Sequence, residues 1–263
     1  MRSLPAVTVV DPALGQRWRR ARVRLGWALI GLPGFVAVLC AGMVAVGGRF
    51  EWWVGLPVLG ALGPVVVGGL VAVSPPRWVG AVVALGAGQF LLGVLPSYAV
   101  GGGDGVVPLL FGLFWVVFAV GIGLAHSAYR TLGTPLIPAL GDTPLEIRVG
   151  ARYAVRTADS IVLGVTVGGQ HLTVHARRHA PLGRGLTQGQ MSIPLTAVRA
   201  VRVVLLHSSG PWFTLSDGTD LLTTPGPAVA VEGPHGDLLI PTDDATVLAE
   251  LLHRRVRFAH TAR

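Results

Sequence analysis

The sequence has no lysine: all 21 of its basic residues are arginine. Arginine stays protonated at any physiological pH, so the net charge of +8 is permanent and burial does not readily switch it off. Cysteine is almost as scarce. A lone Cys40 excludes an intrachain disulfide, and nothing in cysteine usage points to an oxidising compartment. Charge as a whole is thin, at 13% of residues against about 25% in an ordinary soluble domain, and this deficit excludes the ordinary soluble class. It is also local. Between Leu25 and His126 the only charged residues are Arg49, Glu51, Arg77 and Asp104, all at predicted loops. The midplane carboxylate or base that pumps and ion-coupled carriers need is therefore missing, which argues against transport.

Four uncharged stretches fill that interval: Leu25 to Val46, Trp52 to Val73, Trp78 to Val100 and Val106 to Ala125. At about 1.5 Å per residue each can cross a hydrocarbon core of about 30 Å, so four transmembrane helices are expected. The breaks between them carry glycine, proline or charge, as in Ser74-Pro75-Pro76-Arg77. Trp52, Trp53, Trp78 and Tyr98 fall at segment ends, where an aromatic belt sits. The first stretch is too long for the apolar core of a signal peptide, and Leu39 before Cys40 does not suit a lipoprotein cleavage site.

Orientation follows from the arginines. Arg2, Arg17, Arg19, Arg20, Arg22 and Arg24 precede the first stretch, so the N-terminus is expected in the cytoplasm, and four crossings return the C-terminus there. Arg49 in the first loop is a weak dissent.

Beyond Tyr129 the pattern changes. Pro135, Pro138 and two glycines mark a linker, and period-two alternation then predicts short strands. They cover Leu145–Val149, Arg152–Arg156, Ser160–Val167, His171–Ala176, Met191–Leu195, Val198–Leu205, Trp212–Leu215, Val229–Val231 and Leu238–Pro241. A final helix is expected with Thr242 as cap, Asp243 and Asp244 in its first turn, and Arg254 and Arg255 at its solvated dipole end. Its buried face would be Val247, Leu248, Leu251, Leu252 and Val256. The expected organisation is a basic arm (1–24), a transmembrane domain (25–126), a linker (127–143), a β domain (144–258) and a tail (259–263).

Three phrases of this region resemble a known type of domain. Ile193-Pro194-Leu195-Thr196-Ala197-Val198-Arg199-Ala200-Val201-Arg202-Val203 looks like a junction between hairpins. Thr224-Pro225-Gly226-Pro227-Ala228-Val229 and Gly236-Asp237-Leu238-Leu239-Ile240-Pro241-Thr242-Asp243-Asp244 look like last strands and a helix start. With the strands-then-helix order, they resemble actinobacterial membrane proteins with a C-terminal pleckstrin-homology-like domain, a family largely without assigned function. The resemblance implies a mainly β barrel closed by one C-terminal helix. It does not carry phosphoinositide binding with it, because fold does not imply function.

Candidate sites are few. Arg177, Arg178 and Arg184 could hold anionic lipid head groups or a partner. Arg17, Arg20 and Arg24 share a helical face beside Trp18 at the membrane border and are candidates for surface contact, although topology alone explains them. His171, His175 and His179 at four-residue spacing suggest a metal site only weakly, since Arg177 and Arg178 repel a cation and no carboxylate or cysteine joins them. Gly101 to Gly105 lacks the lysine and hydroxyl of a phosphate loop. Gln89 is the most polar side chain near a span centre and is expected to bond another helix. Ala37, Ala41, Ala45, Ala84 and Gly88 form small-residue rows that permit close packing within the chain or self-association of copies.

No cofactor, metal or catalytic motif is expected, and the arginines of the β domain are too diffuse for nucleic acid. The function expected is that of a non-enzymatic, multi-pass cell-membrane protein anchoring an interaction module in the cytoplasm. A regulatory subunit of a transporter or channel is the alternative.

Overall fold

A computed structural model describes residues 11–46, 74–97, 106–155, 161–178, 187–216, 218–234 and 236–261. The expected span Trp52 to Val73, the loops at Arg49, Glu51 and Gly101 to Gly105, and His179 and Arg184 lie outside the described residues. The chain divides into two compact units, one essentially Pro12–Leu132 and the other Gly133–Arg263.

The first unit is helical. Helix α1 runs through Pro12–Gly26, a π turn at Trp27–Gly31, and Leu32–Val46. Helix α2 comprises a 3-10 turn at Pro75–Arg77, Trp78–Gln89 and a π turn at Phe90–Val94. Helix α3 is Val106–Gly133. Stretches of all three, Pro12–Met43, Pro75–Ser97 and Pro108–Gly133, are long and apolar enough to cross a membrane. Both π turns have the same local cause. Pro33 and Pro96 lack an amide hydrogen and press on the carbonyls four residues back, Leu29 and Leu92, and each π turn spans one of those positions.

The residues expected to form a surface arm are instead the first turns of α1. Leu14, Trp18, Ala21 and Leu25 are buried at a helical spacing, and Trp18 packs on Trp78 with ring centroids 6.4 Å apart. Glycine permits the closest approaches. A Cβ on Gly86 would run into the Phe118 ring, and one on Gly121 would touch Val82 and Leu32. The expected rows play little part within this unit, since Ala41 and Ala84 face outward. An aromatic cluster of Phe90, Phe111, Phe114, Trp115 and Phe118 joins α2 to α3.

The second unit holds ten described strands: β1 (Ile147–Val149), β2 (Tyr153–Val155), β3 (Ile161–Val167), β4 (His171–Arg178), β5 (Thr187–Pro194), β6 (Ala200–Leu206), β7 (Pro211–Thr214), β8 (Asp220–Thr223), β9 (Gly226–Gly233) and β10 (Gly236–Pro241). All pairs are antiparallel, in the orders β1-β3-β4-β5, β10-β9-β6 and β2-β8-β7. Three separate sheets therefore replace the expected single barrel. Pro194 has no amide to extend the β5 ladder, and Leu195–Ala197 turns the chain before β6 begins, so no pairing joins β5 to β6. Period-two burial holds along β3, where Ile161, Leu163, Val165 and Val167 are all buried.

Helix α4, Ala245–Thr261, docks on this unit. Leu248, Leu251 and Leu252 are buried, whereas Val247 and Val256 are only half-buried. The expected acidic first turn is absent, because the helix starts after Asp243 and Asp244. Asp243 instead pairs with Arg152 at 3.1 Å, and the buried Thr242 donates its amide to Pro227. The expected linker is also structured. Helix α3 continues to Gly133, and the 3-10 turn Pro138–Asp142 buries Ala139, Leu140 and Gly141.

Candidate functional site

The most distinctive local arrangement lies where β6 meets α4. Val198, Arg199, Ala200 and Val201 form one wall of a groove of about 430 Å³, and His253, Val256 and Arg257 form the other. The helix residues recur at three- and four-residue spacing, so one face of α4 presents them together. Val198, Val201 and Val256 supply an apolar lining. Every titratable lining residue is basic, and neither Arg199 nor Arg257 is held in an ion pair among the described residues. Farther along the strand, Val203 and Leu205 are 48% and 62% exposed. The neighbouring Arg202 lies 3.9 Å from Glu232 and 3.6 Å from Asp237, so its charge is locally balanced. The sequence reading assigned none of these residues to a site. The only available signal was Arg199 beside a strand and Arg257 beyond Arg254 and Arg255.

Below this groove α4 is fastened by Arg255, which is fully buried rather than exposed as expected. Its guanidinium donates to the carbonyls of Leu140 at 2.7 Å, Leu145 at 3.0 Å and Gly168 at 3.1 Å. The first two acceptors flank the turn at Asp142, and the third lies in the β3–β4 connection. Burial lowers the Arg255 pKa to about 10, and Asp142 offsets only part of that effect. The folded chain thus releases this proton more readily than the unfolded chain does. As a result, Arg255 makes stability rise with pH above about 10, the reverse of an ion-paired arginine. Arg254 is the solvated member of the pair: it bonds Glu250 at 2.8 Å and Asp142 at 3.3 Å, and both contacts raise its pKa.

The arginines singled out in the sequence fall in both units: Arg177 is exposed on β4 and Arg178 ends that strand, while Arg17, Arg20 and Arg24 belong to α1 of the helical unit. His171, His175 and Arg177 alternate with buried Leu172, Val174 and Ala176, which puts them on the outer face of the four-stranded sheet. His175 lies over Gly164, where a Cβ would come within 2.6 Å of its ring nitrogen. Burial lowers the His175 pKa, and Arg177 and Arg148 push it the same way against Glu146. Among the described residues no three His, Cys, Asp or Glu side chains group as metal ligands.

In the helical unit Arg24 turns inward to Ser127 Oγ at 2.9 Å and Thr131 Oγ1 at 2.6 Å, which ties α1 to α3. Arg20 is exposed and Arg17 half-buried. Gln89 donates to the Pro33 carbonyl at 2.7 Å, and this bond satisfies the most polar side chain expected near a span centre. Ser97 bonds back to the Gly93 carbonyl at 2.7 Å. The void beside Gln89 is small and lined almost wholly by apolar side chains, including Val36, Leu85 and Phe114. No family model, no curated protein and no solved structure matches the chain.

Proposed function

We propose that the chain is a non-enzymatic membrane protein whose apolar helices anchor a pleckstrin-homology-like interaction module in the cytoplasm. The groove between β6 and α4 carries this reading: it is concave, part apolar and uniformly basic, on a unit that follows three apolar helices in the chain. The pleckstrin-homology-like assignment draws support from chain order. A four-stranded antiparallel sheet and a three-stranded one precede a single docked helix, with β2, β7 and β8 as an addition. Cytoplasmic placement draws on the arginines before the first span and on the further crossing that the apolar run Trp52 to Val73 leads one to expect.

The test is site-specific photo-cross-linking in native membranes. A photoreactive amino acid replaces Val203, Arg177 or Arg20 in turn, and lipid-facing Val116 serves as the control position. An interaction module yields discrete products from Val203 or Arg177 that Val116 does not give. Products no different from those of Val116 at every position contradict the reading.

A further inference from the structure

We infer that the free edge of β6 takes up an extended peptide segment carrying carboxylates, which adds to the β10-β9-β6 sheet as a fourth strand. This inference rests on the interaction-module reading and specifies its partner. β6 is terminal in its sheet, and Ala200 to Leu206 all pair with β9 on one side only. The other edge therefore has no strand partner among the described residues. Seven residues at about 3.3 Å each give a free edge of about 23 Å, enough to pair with a short segment along its length.

Edge strands of this length are normally blunted by proline, charge or a bulge. β6 contains no proline, its register with β9 runs without a shift, and its one charged residue, Arg202, is balanced by Glu232 and Asp237. It also exposes Val203 and Leu205, two of the four large hydrophobic side chains that are solvent-facing among the described residues of this unit. An added strand would cover them by cross-strand pairing.

Charge selects the occupant. Arg199, His253 and Arg257 line the groove, and no carboxylate does. A second copy of β6 would bring its own Arg199 and Arg202 towards these groups, so self-pairing concentrates like charge. A lipid head group would meet the arginines but would leave the strand edge and Val203 unpaired. A peptide with carboxylates where its end enters the groove and apolar side chains at alternate positions along Val203 and Leu205 satisfies the edge amides, the aliphatic side chains and the arginines together.

The experiment uses the full chain in phosphatidylcholine nanodiscs and a fluorescein-labelled peptide in which valine alternates with threonine between short runs of glutamate at both ends. Its comparators are a glutamine counterpart and two versions N-methylated on alternate amides, one for each pairing register. Saturable binding is expected for the glutamate peptide, with a loss of about tenfold or more for the glutamine peptide and for one N-methylated version. Arg199→Glu combined with Arg257→Glu should weaken binding comparably. Equal binding of the glutamine peptide, indifference to both N-methylations, or unchanged affinity in the double variant overturns the inference. So does displacement by phosphatidylglycerol vesicles without any effect of N-methylation, which would make the groove a lipid contact. If the peptide fails to bind while Arg177 still gives discrete cross-links, the groove is wrong and the interaction module stands. Loss of both removes the module as well.

Discussion

The two units of this protein obey opposite surface rules. In the helical unit large apolar side chains face outward, with Val38 71% and Val116 61% exposed, while the packing inside combines leucine and valine with aromatic rings and with close approaches at glycine. Among the described residues of the β unit few aliphatic side chains are exposed, and two of these are on β6. One chain is thus folded for two solvents, so an exposed valine has a different meaning in each unit. In the first it is the expected surface towards lipid. In the second it is apolar surface that the fold leaves uncovered towards water.

The units also bury their polar groups differently. In each a deep side chain donates to backbone carbonyls across elements: neutral Gln89 to Pro33 in the helices, charged Arg255 to Leu140, Leu145 and Gly168 in the β unit. The larger consequence belongs to Arg255. Arg255→Ala takes a charged donor from three carbonyls; Leu140 keeps Thr143 as a donor, and the other two, at roughly 1–3 kcal/mol for each orphaned group, give an expected loss of about 2–6 kcal/mol. Arg255→Met refills the volume without the desolvation cost and should fall between the alanine variant and the parent. Denaturant titration of the reconstituted protein, followed by a probe in the β unit, reads both.

Leu251→Ala should come next, at about 2–5 kcal/mol, because it empties a fully buried site on the same helix. Arg254→Ala should be far milder, since that guanidinium bonds Glu250 and Asp142 at the surface. Equal effects of the Arg254 and Arg255 variants would mean that α4 is not docked as described. Gln89→Leu removes one intramembrane hydrogen bond and should cost about 1 kcal/mol or less in a detergent-unfolding series.

The smallest effect is a pH slope. The lowered His175 pKa means that the unfolded chain takes up the proton first as pH falls. The contribution of His175 is therefore intact above the ordinary imidazole value of about 6.5 and is lost below it. Melting midpoints measured at about pH 7 and about pH 5 should drop less in His175→Gln than in the parent, and an identical drop would exclude His175 as a cause.

These contrasts also explain what the sequence could and could not disclose. Three of the apolar spans were legible as uncharged runs long enough to cross a hydrocarbon core, and most strands through a period of two that burial preserves. β8 was missed because Asp220–Thr223 is a four-residue strand with polar ends, which has no room for alternation. The start of α1 and the end of α3 were missed for a different reason, whereas Val46 and Val106 close and open these helices as expected. Arginines mask the buried row Leu14, Trp18, Ala21 and Leu25, and the Gly133 end of α3 lies among residues that read as a linker.

Arg255 was misjudged although its position was readable. It follows Leu248, Leu251 and Leu252 and precedes Ala259 at three- and four-residue steps, so the helical period puts it in the centre of the apolar stripe. The preference of a cation for a helix C-terminus is worth only about 0.3–1 kcal/mol, and tertiary packing outweighs it. The groove arginines could not be found this way. Arg199 and Arg257 meet only through the fold, and no spacing in the sequence joins a strand edge to a helix more than fifty residues later.

Cysteine accessibility tests the division into two solvents most directly. With Cys40, the sole native cysteine, replaced by alanine, single cysteines are placed at Val38, Val116 and Arg199 and treated with a membrane-impermeant maleimide. Val38→Cys and Val116→Cys should stay unlabelled in intact and in permeabilised cells, because lipid surrounds them. Arg199→Cys should be labelled only after permeabilisation. Labelling of Arg199→Cys in intact cells, or of Val116→Cys in either preparation, would contradict a membrane anchor carrying a cytoplasmic β unit.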